Sequence, residues 1–251
     1  MFRSLVLSAG VLAGAALLTP AARAADEPKD LLAQAIKAHG GEAVLTKYKA
    51  ARMKVKGKID VPGVGEVECT QETAYMVPDK FREAMELKVG GQTVTILVLA
   101  SGDKFTIEAN GTAVAEDDKV KDALKEVGHM LEVGRLVPLK DKKYELNIIG
   151  EDKVEGKKVV GVRVSMKNRK DMSLYFDKET HLITKLEYRT VDVSSGNEVS
   201  EERIITEYAK NKDGVPVPKA IIVKRDGKKL YEGEVTEHTM LEKIDDGEFK
   251  K

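Results

Sequence analysis

The chain has no tryptophan, a single cysteine and few aromatics, with seven tyrosines and five phenylalanines among its 251 residues. A lone Cys69 excludes an internal disulfide, so the fold must rest on its apolar core, and a chain of this length can build one. The four histidines, His39, His129, His181 and His238, stand apart, and neither CxxC nor HExxH occurs. A zinc site needs three or four suitably spaced ligands, so none is indicated. A GxSxG elbow, a phosphate loop and a dinucleotide fingerprint are also missing. No charge sign prevails: 42 Lys and Arg balance 42 Asp and Glu, finely interspersed. Without a basic stripe, nucleic acid is a poor partner. These absences remove most recognisable enzyme chemistry, and no cofactor is implied. One catalytic alternative stays open, a hydrolase whose glutamates, such as those of GEVEC and EGEVTE, pair across a cleft. Glutamates alternating with apolar residues, however, are the usual wet face of a sheet.

Long apolar runs are limited to one. MFRSLVLSAGVLAGAALLTPAARAADEPKD has a basic start at Arg3, an apolar core from Leu5 to Leu18 and the small-x-small pattern Ala22-Arg23-Ala24. That is the form of a secretory signal peptide over residues 1–24, cut before Ala25. The expectation is a mature chain, residues 25–251, exported to the periplasm or another extracytoplasmic space and lacking a transmembrane segment. No linker rich in Pro, Ser or Gly divides it, which favours one domain.

What fills the mature chain is mostly period-two alternation. A helix is predicted over Pro28–Ala38, with Leu31, Leu32, Ala35 and Ile36 on one side and Gly40-Gly41 as its stop. RMKVKGKIDV, EVECTQETAYMV, KFREAMELKV, TVTILVLA and KFTIEA then alternate apolar and polar residues between turns such as Pro62-Gly63 and Asn110-Gly111. Cys69 falls on the apolar side, as a buried inert thiol would. Links this short force antiparallel neighbours. Between Asp117 and Leu136 the spacing changes: Val120, Ala123, Leu124, Val127, Met130 and Leu131 recur at three and four residues, predicting a second amphipathic helix. Seven further strand segments follow. The expected architecture is mainly β with helices, an unclosed antiparallel barrel or strongly curved sheet of about eleven strands, its concave face covered by helices.

The segment DMSLYFDKETHLITKLEYR, Asp171 to Arg189, tests whether a lone histidine beside acids marks chemistry. It reads as two strands around the turn Asp177-Lys178-Glu179-Thr180. Leu182, Thr184, Leu186 and Tyr188 share one face, and Lys185, Glu187 and Arg189 the other. His181 at the strand entrance has no second ligand or nucleophile beside it. For each isolated histidine the surface or a helix cap is the default position, and His39, at a helix end, suits a cap.

The same segment, followed by EERIITEYAKNKDGVPVPKAIIVKRDGKKLYEGEVTEHTMLEKIDDGEF, resembles the end of the LolA-like family of periplasmic lipoprotein carriers and outer membrane lipoprotein-sorting proteins. The shared form is strand, D-x-x-T-x-x, strand, a DG-x-x-x-P strand and a last strand ending near I-D-D-x-x-F. YMVPDKFREAMEL agrees with the family's first half. The resemblance implies an unclosed barrel with an apolar lining, capped by helices, that binds acyl chains or lipidated proteins without catalysis, or senses the envelope through a protein partner. The residues then expected to line a ligand cavity are Met85, Leu87, Ile96, Phe105, Met172, Leu174, Leu186 and Tyr188. Leu124, Val127 and Leu131 would form a lid helix. The family's ligand-holding strand arginine has two open positions here, Arg52 and Arg82, with no motif to fix either.

Overall fold

The computed structural model describes residues 27–114, 118–192 and 195–251. The leader read at residues 1–24 lies outside them, as does Asp117, the expected start of the second helix. Two helices open the described chain, α1 (Pro28–Ala38) and α2 (Glu42–Lys47). Six strands follow: β1 (Ala50–Val61), β2 (Gly65–Met76), β3 (Lys80–Val89), β4 (Gln92–Ser101), β5 (Lys104–Ala109) and β6 (Thr112–Ala113). After α3 (Asp118–Gly134) and a 3-10 turn at Val137–Lys140 come seven more: β7 (Tyr144–Val154), β8 (Lys157–Met166), β9 (Met172–Asp177), β10 (Ile183–Val191), β11 (Glu198–Lys210), β12 (Pro216–Arg225) and β13 (Lys228–Leu241). A last 3-10 turn spans Asp246–Phe249.

All the strands belong to one sheet in the order β6-β5-β4-β3-β2-β1-β13-β12-β11-β10-β9-β8-β7, antiparallel at every pairing. The chain lays down one meander outward from β1 and another inward from β7, and β1–β13 pairing joins them. The edges β6 and β7 stay apart, so the barrel is unclosed as expected. Among the described residues the strand count is corrected to thirteen. The Asn110-Gly111 turn folds Thr112–Ala113 back onto β5, and a two-residue strand carries no period to read. The short helix α2, starting directly after Gly41 at φ 88°, also escaped the pattern.

The sheet curls. Glu83 on β3 and Arg203 on β11 are five strands apart, about 24 Å on a flat sheet. Yet the Arg203 guanidinium senses the Glu83 carboxylate, which requires the two walls to face each other across a concave inner surface. Leaving edge β6 for edge β7, the chain must cross that surface. Its seventeen-residue helix α3, about 25 Å long, makes the crossing.

The two halves of the inner face are covered unequally. Over β7–β10, α1 and the C-terminal part of α3 bury Val160, Val162, Val164, Met172, Leu174 and Phe176 beneath Leu31, Ala35, Met130 and Val133. This core is filled. Arg135 ties α3 to α2, donating to the carbonyls of Leu45 and Tyr48. The outer face carries most of the charges, with two apolar exceptions: Ile244 and Phe249 of the C-terminal segment cover Ala50 and Ala74, and Val154, Val159 and Ile204 pack with Tyr175 and Ile222. No described helix is long and apolar enough to cross a membrane.

The β9–β10 turn follows the expected pattern. Asp177 Oδ1 accepts from the backbone N–H groups of Glu179 (2.9 Å) and Thr180 (2.8 Å) and from the Thr180 hydroxyl (3.1 Å). His181, at φ 58°, donates its N–H to the Asp177 carbonyl (2.8 Å), which makes it a turn residue. Leu186 and Tyr188 point inward as expected, with Lys185 and Glu187 opposite, but a bulge between Ile183 and Lys185 buries Thr184 and puts Ile183, in place of Leu182, opposite Phe176 in the core.

Candidate functional site

Along the inner face of the first half, alternation brings an apolar strip to the concave side. Val55, Val67, Cys69, Leu87, Val223 and Tyr231 form its buried floor. Met53, Ile59, Met85, Val94, Ile96 and Ile221 surround them, only half-buried. Among the described residues no helical side chain joins this cluster. It is a trough, and β3 gives its length: Phe81, Glu83, Met85, Leu87 and Val89 share its face, spanning about 27 Å at 3.4 Å per residue. Cys69 lies in the floor, where burial pushes its thiol up, as expected of an inert group.

A polar belt interrupts the strip. Gln71 Nε2 donates to Glu83 (2.6 Å) and to the Thr73 hydroxyl (3.2 Å). On the facing wall Glu201, 2% exposed, accepts from the Tyr188 hydroxyl (2.7 Å), from Arg203 (2.9 Å) and from Arg225 (3.0 Å). Burial alone would raise the Glu201 carboxyl, but the two guanidiniums outweigh it and hold it below the usual carboxylate range. Glu83 has no such cation in contact, and burial raises it. The Arg203 side chain keeps 40% of its surface accessible on this inner face. A raised and a lowered carboxylate on facing walls suggest an acid–base pair. Glu201 cannot serve as the base, because Tyr188, Arg203 and Arg225 occupy its oxygens and it has almost no exposed surface.

At one end of this face, beyond Phe81, a cleft of about 940 Å³ opens between the strand ends and α3. Phe81, Ala100 and Phe105 form one wall, and Met166, Arg169 and Thr190 another. Leu124, Glu126, Gly128 and His129 of α3 form the third. His129 is 4% exposed and its ring stacks on Tyr144, 6.0 Å between centroids with planes 5° apart. Neither ring nitrogen has a hydrogen-bond partner, nor has Glu126 Oε2 or the Tyr144 hydroxyl, and all four atoms are buried. Arg169 approaches Glu126 to 3.5 Å without supplying the missing bonds. Each unmade bond at a buried polar atom costs about 1–3 kcal/mol, so the cluster is a concentrated deficit. Burial holds the His129 imidazole down at about 4, aided by Arg169, and it is neutral near pH 7. A second depression, about 790 Å³, lies on the outer face among Lys56, Lys58, Glu68 and Glu232.

The expected site residues divide among these regions. Met85, Leu87 and Ile96 meet in the trough. Phe105 and Leu124 meet at the cleft wall, packed with Ile107 and Val120. Met172, Leu174, Leu186 and Tyr188 lie in the filled core or at its margin, with Val127 and Leu131 packed on the same cluster. Arg52 and Arg82 sit on the outer register of β1 and β3, and Arg52 pairs with Glu248 at 2.5 Å. Among the described residues two strand arginines face inward, Arg203 of β11 and Arg225 of β12, both bonded to Glu201. The signal of Arg203 was present in VSEERII: Glu201 and Arg203 occupy the register of Val199 and Ile205, charges in an apolar phase. His39 is a helix cap, its Nδ1 2.8 Å from the Ala35 carbonyl. His129 departs from the surface or cap position expected of it. Among the described residues no group of three or more His, Cys, Asp or Glu is placed to hold a metal ion.

An open, curled antiparallel sheet crossed by one helix is a half-barrel fold. No protein-family model and no curated protein sequence matches the chain. In three dimensions it is similar to a LolA superfamily protein from Nitrosomonas europaea, at 11% identity and TM-score 0.52, covering 90% of this chain and 99% of that one. A DUF1329 family protein from Desulfovibrio piger matches at 13% identity and TM-score 0.52, over 90% and 98% of the two chains. An outer membrane lipoprotein-sorting protein domain from Vibrio parahaemolyticus matches at 9% and 0.50, over 89% and 97%. The LolA-like resemblance read from the second half therefore holds at the level of the whole fold.

Proposed function

We propose that this chain is an exported, non-catalytic carrier that holds acyl chains, of lipids or of lipidated protein segments, in the trough of its inner face. The observation that carries this reading is the half-buried apolar strip around Met85 and Ile96, left without cover from any described helix. The LolA-like fold supports it, as does a leader of secretory form at residues 1–24. Binding is partition: each buried methylene contributes about 0.8 kcal/mol, so roughly ten offset the rigid-body cost of association without covalent chemistry. Access runs through the cleft, with α3 as lid and Leu124 as its contact with the Phe105 wall.

Mass spectrometry of lipids that co-purify from the native source tests the reading. Acyl species should be retained, and Leu124→Asp or Ile96→Asp should reduce retention severalfold. Freshly purified protein with neither lipid nor affinity for an apolar fluorescent probe would overturn it.

A further inference from the structure

We propose that the cleft beneath α3 recognises the head group of the carried amphiphile, and that Glu126 and His129 select a hydroxylated, uncharged head such as a glycerol or sugar unit. The proposal rests on the carrier reading and names the ligand class. Position is the first reason. Phe81 in the cleft and Met85 in the trough share one face of β3, with Glu83 between them, so a chain lying in the trough places its head in the cleft.

The second reason is the kind of hydrogen bond that is missing. Glu126 Oε2 and one nitrogen of neutral His129 need donors, whereas the other His129 nitrogen and the Tyr144 hydroxyl need acceptors. A hydroxyl both donates and accepts, so neighbouring hydroxyls complement the whole set. A phosphate or carboxylate only accepts and would leave Glu126 and half of His129 unsatisfied. Charge points the same way. Five acidic side chains line the cleft against four basic ones, and Arg169, the cation nearest its buried end, already faces Glu126. α3 is the wall that has to move, because Glu126 Oε2 and both His129 nitrogens are buried as it stands, with Gly128 so close to the Pro78 carbonyl that a Cβ there would lie 3.4 Å from it. An outward roll of the helix presents Glu126 and His129 to the ligand.

The test compares octyl glucoside with octyl phosphate, below micelle formation, by calorimetric titration of the mature chain. An apolar fluorescent probe reports the trough separately. The glucoside should bind at least tenfold tighter than the phosphate. Glu126→Gln and His129→Leu should each weaken it about tenfold while probe affinity stays within twofold. In ¹⁵N spectra the His129 ring resonances should move with the glucoside and not with the phosphate. If the probe binds but the phosphate matches the glucoside, or the substitutions leave glucoside affinity unchanged, the head-group inference falls and the carrier reading stands. If neither probe nor glucoside binds, both fall.

Discussion

Lowering the pH from 7 to 4.5 should weaken the fold, and replacing His129 with leucine should remove a measurable part of that loss. The imidazole is buried against Tyr144 with no hydrogen-bond partner, and burial and Arg169 hold it at about 4, against 6.5 when free. Between those values the unfolded chain binds a proton that the folded chain does not, so stability falls as pH falls. For a single group the full effect between pH 7 and 4.5 is about 2.4 kcal/mol. The cleft brings solvent close to the ring and screens it, and halving leaves about 1.2 kcal/mol. His39 and His238 are also held low by burial and act in the same sense, and Glu126, raised by burial, acts in the opposite one. All three remain in the variant, so the difference between the two proteins isolates His129. At pH 7, His129→Leu loses a ring contact of about 1 kcal/mol and removes two orphan polar atoms at about 1–3 kcal/mol each. It should therefore be no less stable than the parent. Urea titrations followed by circular dichroism at several pH values measure both quantities. Parallel stability curves from pH 7 to 4.5 would refute the assignment of a buried neutral imidazole.

Two further substitutions probe the frame of the inner face. Glu201→Gln leaves Arg203 and Arg225 without their shared carboxylate and should cost about 3 kcal/mol in urea unfolding, the low end for a broken buried pair because both guanidiniums keep some solvent contact. Gly57→Ala would place a methyl 2.1 Å from the Glu232 carbonyl oxygen and 2.8 Å from the Gly233 Cα. Backbone cannot step aside as a flexible side chain can, so a loss of about 2–3 kcal/mol is expected, visible as a lowered thermal midpoint.

Much of the sheet was legible because strand period and turn chemistry are local. The alternation of β1 to β5 and the Asp177–Thr180 turn depend on residues adjacent in sequence, and so does the three-and-four spacing of α3. The wet placement of Glu66, Glu68, Glu232 and Glu234 follows from the same alternation. Elements too short to show a period, α2 and β6, were not legible.

The sequence by itself determined which residues alternate inward and outward, that neighbours pair antiparallel, and that two amphipathic helices must lie on an apolar face. Tertiary structure decided how that face is shared out. Met85 and Met172 read alike as inward apolar residues, yet Met172 is sealed beneath the α1 and α3 core while Met85 stays half-buried in a trough. Only the path of α3 from one sheet edge to the other separates their fates, because a helix of about 25 Å cannot cover both halves of a thirteen-stranded sheet. The approach of Arg203 to Glu83 likewise follows from curvature, whereas the bonds of Glu201 to Arg203 on its own strand and to Arg225 opposite it on β12 are set by local register. Curling brings walls five strands apart to face each other, and no local pattern encodes that meeting.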